Sequence, residues 1–88
     1  MVHIRLDKYL KVSRLVKRRT VAKEMVDAGR VTVNGKQAKP GHEVDIGDIV
    51  EIGFGQRQVR AEILAIRENV RVDEAGSLYK LLEGAPID

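Results

Sequence analysis

At Gly29 the hydrophobic period of this chain changes, and the change confines it to folds that join helices to a sheet. Before Gly29, apolar residues recur at helical spacing. Leu6, Tyr9, Leu10 and Ser13 share one face of a helix predicted over residues 5–12, and Val21, Ala22, Met25 and Val26 share one face of a second over 19–28. Gly29 itself is a natural helix stop. Beyond it, Val31, Thr32 and Val33 predict a brief strand ending in Asn34-Gly35, a strong hairpin signal. Residues 36–41 are irregular, and Gly47-Asp48 turns the chain into a strand over 49–54 whose end is weakened by Gly53 and Gly55, the mark of a bulge or hairpin near the edge. A further strand over 59–66 is apolar on parts of both faces and is expected to be covered on both sides. Residues 67–76 read as a mobile charged loop and 78–82 as a closing helical turn. The predicted class is α+β, with two N-terminal helices packed on a small, mainly antiparallel sheet. Residues 3–66 form the main unit, and 67–88 form a charged loop with a short helical tail.

The second helix begins on Lys17-Arg18-Arg19-Thr20. A helix start exposes unpaired N–H groups and carries roughly half a positive elementary charge, so acids stabilise it and cations do not. Three cations there repel one another and the macrodipole. Arg19 and Lys23, one turn apart on the outward side, repeat the conflict. A polyanion resolves it, because exposed amides and basic side chains together form a phosphate cradle. A local rule broken without internal compensation points to function, here the binding of RNA or DNA. On the first helix, Asp7 and Lys11 have the i,i+4 spacing of an ion pair.

Charge is divided along the chain. Residues 1–40 hold eleven Lys and Arg against three acids, a net +8, while residues 41–88 hold five against ten, a net −5. This reads as a binding face joined to a solvating remainder. The 88 residues allow one domain with a modest core, which must be mainly aliphatic because the chain has one Phe, two Tyr and no Trp. So few rings argue against recognition by stacking single strands on an aromatic sheet, and favour shape and backbone recognition of folded RNA. The absence of cysteine excludes disulfide scaffolds, zinc knuckles and thiol nucleophiles. With no apolar run of about 18 residues and no signal-peptide core, a soluble intracellular protein is expected. His3 and His42 lack a second ligand at metal spacing, and no Gly-rich phosphate loop, Ser/His/Asp set or poised acid pair is present. No metal, no cofactor and no catalysis are therefore expected.

Four segments carry a family resemblance: Arg5-Leu6-Asp7-Lys8-Tyr9-Leu10, Lys17-Arg18-Arg19-Thr20-x-Ala22, Gly29-Arg30-Val31-x-Val33-Asn34-Gly35, and Gly47-Asp48. In this order and spacing they resemble the S4 RNA-binding domain over residues 3–54. The resemblance implies the S4 (αL-type) fold, with the helices and the Asn-Gly hairpin presenting one RNA surface. Among stand-alone S4 proteins, residues 11–20 are most similar to the compact bacterial quality-control group, the RqcP family. The related heat-shock S4 group usually carries a long basic C-terminal extension, whereas this chain stops at Asp88 with an acidic tail. The resemblance implies a cytoplasmic, non-enzymatic and monomeric factor with no membrane contact. Its partners would be the large-subunit rRNA and tRNA of a stalled large ribosomal subunit, together with the tailing factor RqcH. A heat-shock-type large-subunit recycling factor and an RNA-affinity adaptor for an RNA-modifying enzyme remain as alternatives.

Arg19 corresponds to the helix-start Arg of the S4 motif and is expected to meet a phosphate or a stacked base. Arg5, in the first turn of the first helix, is its nearest equal. Lys8, Lys11, Arg14, Lys17, Arg18, Thr20 and Lys23 complete the expected RNA-binding face, joined at the turn by Asn34 and Lys36, with Lys39 flanking. Arg18 stands where many S4 domains have a Ser that caps the helix. Asp7 is expected to be structural, and Asn34-Gly35 is demanded by turn geometry whatever the function.

Overall fold

The computed structural model describes residues 3–67 and 70–87. In chain order the elements are β1 (Ile4–Arg5), α1 (Leu6–Val12), α2 (Arg19–Asp27), β2 (Val31–Val33), β3 (Lys36–Gln37), β4 (Glu43–Val44), β5 (Ile49–Phe54) and β6 (Arg57–Ile63), then a 3-10 segment (Val72–Leu78) and β7 (Tyr79–Glu83). Five strands form one antiparallel sheet in the order β3-β2-β5-β6-β7, and β1 pairs with β4 apart from it. The class is α+β, as the change of period at Gly29 indicated.

Register explains the core. Val31 faces Ile52, Val33 faces Val50, and these face Val59 and Ala61 in turn, so one side of the sheet is aliphatic across β2, β5 and β6. Against that side pack Leu6, Tyr9, Leu10, Ala22 and Val26 from the helices, with Leu15 and Val16 from the connector between them. Asn34 (φ 53) and Gly35 (φ 83) are both left-handed, the conformation that a type I′ hairpin requires.

The structure departs from the sequence reading in several places. The stretch 36–41 begins with β3, which pairs with β2, and the two-residue partners β1 and β4 are too short to leave a periodic signal. Strand β6 spans Arg57–Ile63 and is buried on one side only: Val59, Ala61 and Ile63 face inward, Arg60 and Glu62 are half-exposed, and Leu64 beyond it is exposed. The charged loop expected over 67–76 falls partly outside the described residues, at 68 and 69, and its later part is the 3-10 segment. The helical turn expected over 78–82 is instead β7, whose pairing to β6 through Ile63–Tyr79 and Glu62–Lys80 overrides the weak helical preference of so short a run. Gly84 (φ +79) then passes close to the Gln58 carbonyl, where a Cβ would collide with backbone.

Candidate nucleic-acid interface

Helix α1 forms because Leu6, Tyr9 and Leu10 recur at i, i+3 and i+4, and all three are fully buried. Its opening amides are satisfied inside the protein. Leu6 N–H donates to the His42 carbonyl at 2.7 Å, Asp7 N–H to the Pro40 carbonyl at 3.2 Å, and Lys8 N–H to the Asp7 carboxylate at 2.8 Å. The start of α1 therefore has no free amide for an anion.

The start of α2 is different. Arg18 occupies the cap position in extended conformation, no side chain caps the helix, and no acid lies in its first turn. The next three N–H groups precede the first intrahelical bond, from the Ala22 amide to the Arg18 carbonyl at 3.0 Å. Lys17, Arg18, Arg19 and Thr20 around them are all exposed.

Asp7 joins the two helix starts. Its carboxylate is buried, with only 3% of the side chain exposed, and the guanidinium of Arg5 grips it with two contacts of 3.3 Å. The guanidinium of Arg19 approaches the same carboxylate at 3.8 Å. Both arginine side chains remain about half exposed, at 54% and 52%, so each is anchored on its inner edge with donors left for solvent. One buried negative charge thus holds two cations side by side that would otherwise repel, beside an uncapped helix start. The i,i+4 partnership with Lys11 is not what Asp7 makes; it turns back to Arg5 and across to Arg19, leaving Lys11 exposed. The available signal was that Asp7 lies three residues before Leu10, on the flank of the apolar stripe rather than opposite it.

Other candidates fall around this cluster in different ways. Lys23 is exposed on α2, and Lys8 is half-buried on α1. Arg14 is half-buried and left-handed (φ 61) just past the end of α1, a conformation that costs an ordinary residue about 1 kcal/mol or more. Asn34 is committed within the protein: its Oδ1 accepts from the Ile49 amide at 2.9 Å and its Nδ2 donates to Asp48 at 3.1 Å. Lys36 is exposed on the edge strand β3. The structure therefore gathers Arg5, Asp7 and Arg19 into one unit and gives Asn34 a turn-locking role.

Two anchors beneath this face had no sequence signal. Ile87 is buried, accepts from the Lys17 amide at 3.2 Å and donates to the Leu15 carbonyl at 2.7 Å, pinning the connector just before the basic helix start. The Tyr9 hydroxyl donates to the Leu78 carbonyl at 2.9 Å; burial, with Tyr79 nearby, pushes its ionisation well above the usual 10.0. Among the described residues, no group of His and carboxylate side chains is arranged to hold a metal ion, and no helix is long and apolar enough to cross a membrane.

Residues 4–50 match the model of the S4 domain. The RQC P-site tRNA stabilizing factor of Halalkalibacterium halodurans is 54% identical over 84 residues, which cover 96% of each chain. The chain belongs to the S4 domain family, among the RQC P-site tRNA stabilizing factors. The Bacillus subtilis factor of that name is 45% identical over 80 residues, covering 91% of this chain and 93% of its own. In structure, this S4 protein superposes on a trimeric heat shock protein 15 from Vibrio cholerae with a TM-score of 0.82 at 36% identity, over 91% of this chain and 82% of that one. The S4 match stops at residue 50, so β6, β7 and the Ile87 clamp lie beyond it.

Proposed function

We propose that this protein is a non-enzymatic RNA-binding factor of ribosome-associated quality control. It docks on the large ribosomal subunit through rRNA and peptidyl-tRNA and supports C-terminal tailing of stalled nascent chains, with the tailing factor RqcH as partner. The observation that carries this reading is the Asp7-anchored pair Arg5 and Arg19 beside an uncapped helix start. That arrangement offers oriented guanidiniums and free amides to phosphates, and the rest of the basic N-terminal half surrounds it. The relatives named RQC P-site tRNA stabilizing factor, at 45–54% identity, support the ribosomal setting over an enzyme adaptor. Such a factor works in the cytoplasm. We take the docking unit to be a single copy, in contrast to the trimeric Vibrio relative.

The test is co-sedimentation of the tagged protein with large subunits carrying peptidyl-tRNA, at graded salt, with Arg19→Glu alongside. The expected outcome is co-sedimentation that Arg19→Glu abolishes without loss of fold. Affinity should fall by about 0.7–0.9 log units per tenfold salt for each phosphate neutralised. Salt-independent binding, or capture of one modifying enzyme without subunits, refutes the proposal.

A further inference from the structure

The three aromatic rings of this chain have different surroundings. Tyr9 is fully buried, Tyr79 is half-buried, and Phe54 is 43% exposed. Phe54 ends β5 at the hairpin tip, directly across from Arg57, and Gly55 (φ +61) turns the chain beside it. The ring is a shared wall between two clefts. One is an open groove of about 700 Å³ that runs from Phe54 and Arg57 past Gln58 to Pro86 and Ile87. The other lies between Phe54 and the flank of α2, with Arg30 and Glu24 on its rim.

The two clefts differ in charge. Arg57 has no carboxylate partner among the described residues. Glu83, which also lines the first groove, is already engaged by Arg60 at 3.3 Å. The second cleft is lined by Glu24, a carboxylate with no ion pair among the described residues, whereas Glu83 of the first groove is already engaged, so the first groove is the better anion site. An exposed π-face beside an unpaired guanidinium is what an unpaired nucleotide requires: the base stacks on the ring and its phosphate meets the cation. The far end of the groove is Ile87, which is bonded to Leu15 and Lys17. The groove thus leads to the connector that presents Lys17, Arg18 and Arg19.

We propose that this groove binds an unpaired nucleotide of the docked RNA, with the base stacked on Phe54 and the phosphate held by Arg57. The proposal rests on the RNA-docking reading above and extends the interface onto the hairpin beyond the S4 match.

The chain has no Trp, so Phe54→Trp introduces a single indole reporter at the site. The probes are a synthetic RNA stem-loop with a single-stranded overhang and its blunt counterpart, each titrated in the full-length protein. The overhang RNA should quench the indole and the blunt RNA should not. Phe54→Leu, which keeps an apolar side chain at the tip, should lose about tenfold in affinity for the overhang RNA and none for the blunt one. Arg57→Gln should reduce the salt slope for the overhang RNA by about 0.7. Binding of both RNAs with a silent indole and an unimpaired Phe54→Leu overturns this inference while leaving RNA docking intact. An indole that responds to protein concentration instead of RNA overturns it as well, marking a contact between copies. Failure of the unaltered protein to bind either RNA refutes the docking reading, and this inference with it.

Discussion

Replacing Asp7 with Asn separates two accounts of the basic face, because they predict opposite signs. If the face is only a cloud of positive charge, deleting its buried negative charge should tighten RNA binding. At roughly 7 Å from a phosphate, one unit charge is worth about 2.4 kcal/mol at the effective dielectric of a protein surface, and screening at physiological salt reduces this to about 1 kcal/mol. If the carboxylate orders the arginines, deleting it frees Arg5 and Arg19, whose exposed portions then have to be immobilised on binding. Ordering a long side chain costs about 0.5–1.5 kcal/mol, so two arginines cost about 1–3 kcal/mol. The ordering loss exceeds the Coulombic gain. Asp7→Asn should therefore weaken RNA binding by about fivefold although the protein becomes more positive. Folding should lose a comparable amount, about 1–2 kcal/mol, because both arginines are half exposed and the Asn carbonyl can still accept from the Lys8 amide. Anisotropy titration of a labelled RNA stem-loop at fixed salt, paired with urea unfolding, reads both quantities. Equal or tighter binding by Asp7→Asn would refute the ordering argument.

Two further outcomes follow from α1 and its end. Tyr9 ionises only above its unfolded value of 10.0, so the native state holds that proton longer than the unfolded chain; the stability it contributes is complete at neutral pH and is lost as pH rises beyond about 10. Tyr9→Phe should abolish this alkaline component in urea midpoints, while costing only about 1 kcal/mol at pH 7 because the Leu78 carbonyl retains the Leu64 and Ala65 amides; an unchanged alkaline slope would show that another group is responsible. Arg14→Gly should relieve the left-handed strain and raise stability by about 0.5–1 kcal/mol, while lowering the salt slope of RNA binding by about one phosphate. Higher stability with an unchanged slope would remove Arg14 from the interface.

What could be read from the sequence was whatever rests on local period or local charge. The two helices, β2 and β5 were marked by 3.6- and 2-residue spacing and by Asn34-Gly35 and Gly47-Asp48, and each lies where its pattern placed it. The uncapped, acid-free start of α2 was equally legible, because a cation at a helix start is a local contradiction. The anchor of the site was not. Asp7 and Arg19 are twelve positions apart, and only the packing of α1 against α2 brings them to 3.8 Å. β7 was missed for a related reason: residues 79–83 carry no clean alternation, and pairing with β6, across a bulge at Arg60/Ala61, makes them a strand. Exposure of the Phe54 ring likewise depends on where the hairpin tip falls against α2.

The acidic half, read from charge alone, is a solvating remainder. The structure gives it mechanical work under the basic face: its apolar side chains share the core with the helices, and its polar contacts to the helices and their connector include several made by backbone carbonyls. That of His42 receives the Leu6 amide at the start of α1, that of Leu78 holds Tyr9, and that of Ile87 holds the connector at Lys17. A carbonyl is present at every residue, so these contacts leave no trace in residue type, and only their placement is selective. The division of labour has a physical reason. A segment carrying +8 over forty residues gains little cohesion from its own charged side chains, since most of the pairs they could form are repulsive. Uncharged acceptors from elsewhere in the chain restrain the helices without neutralising the cations that a polyanion needs. Asp7 is the exception, a full negative charge that holds two guanidiniums side by side at the candidate interface.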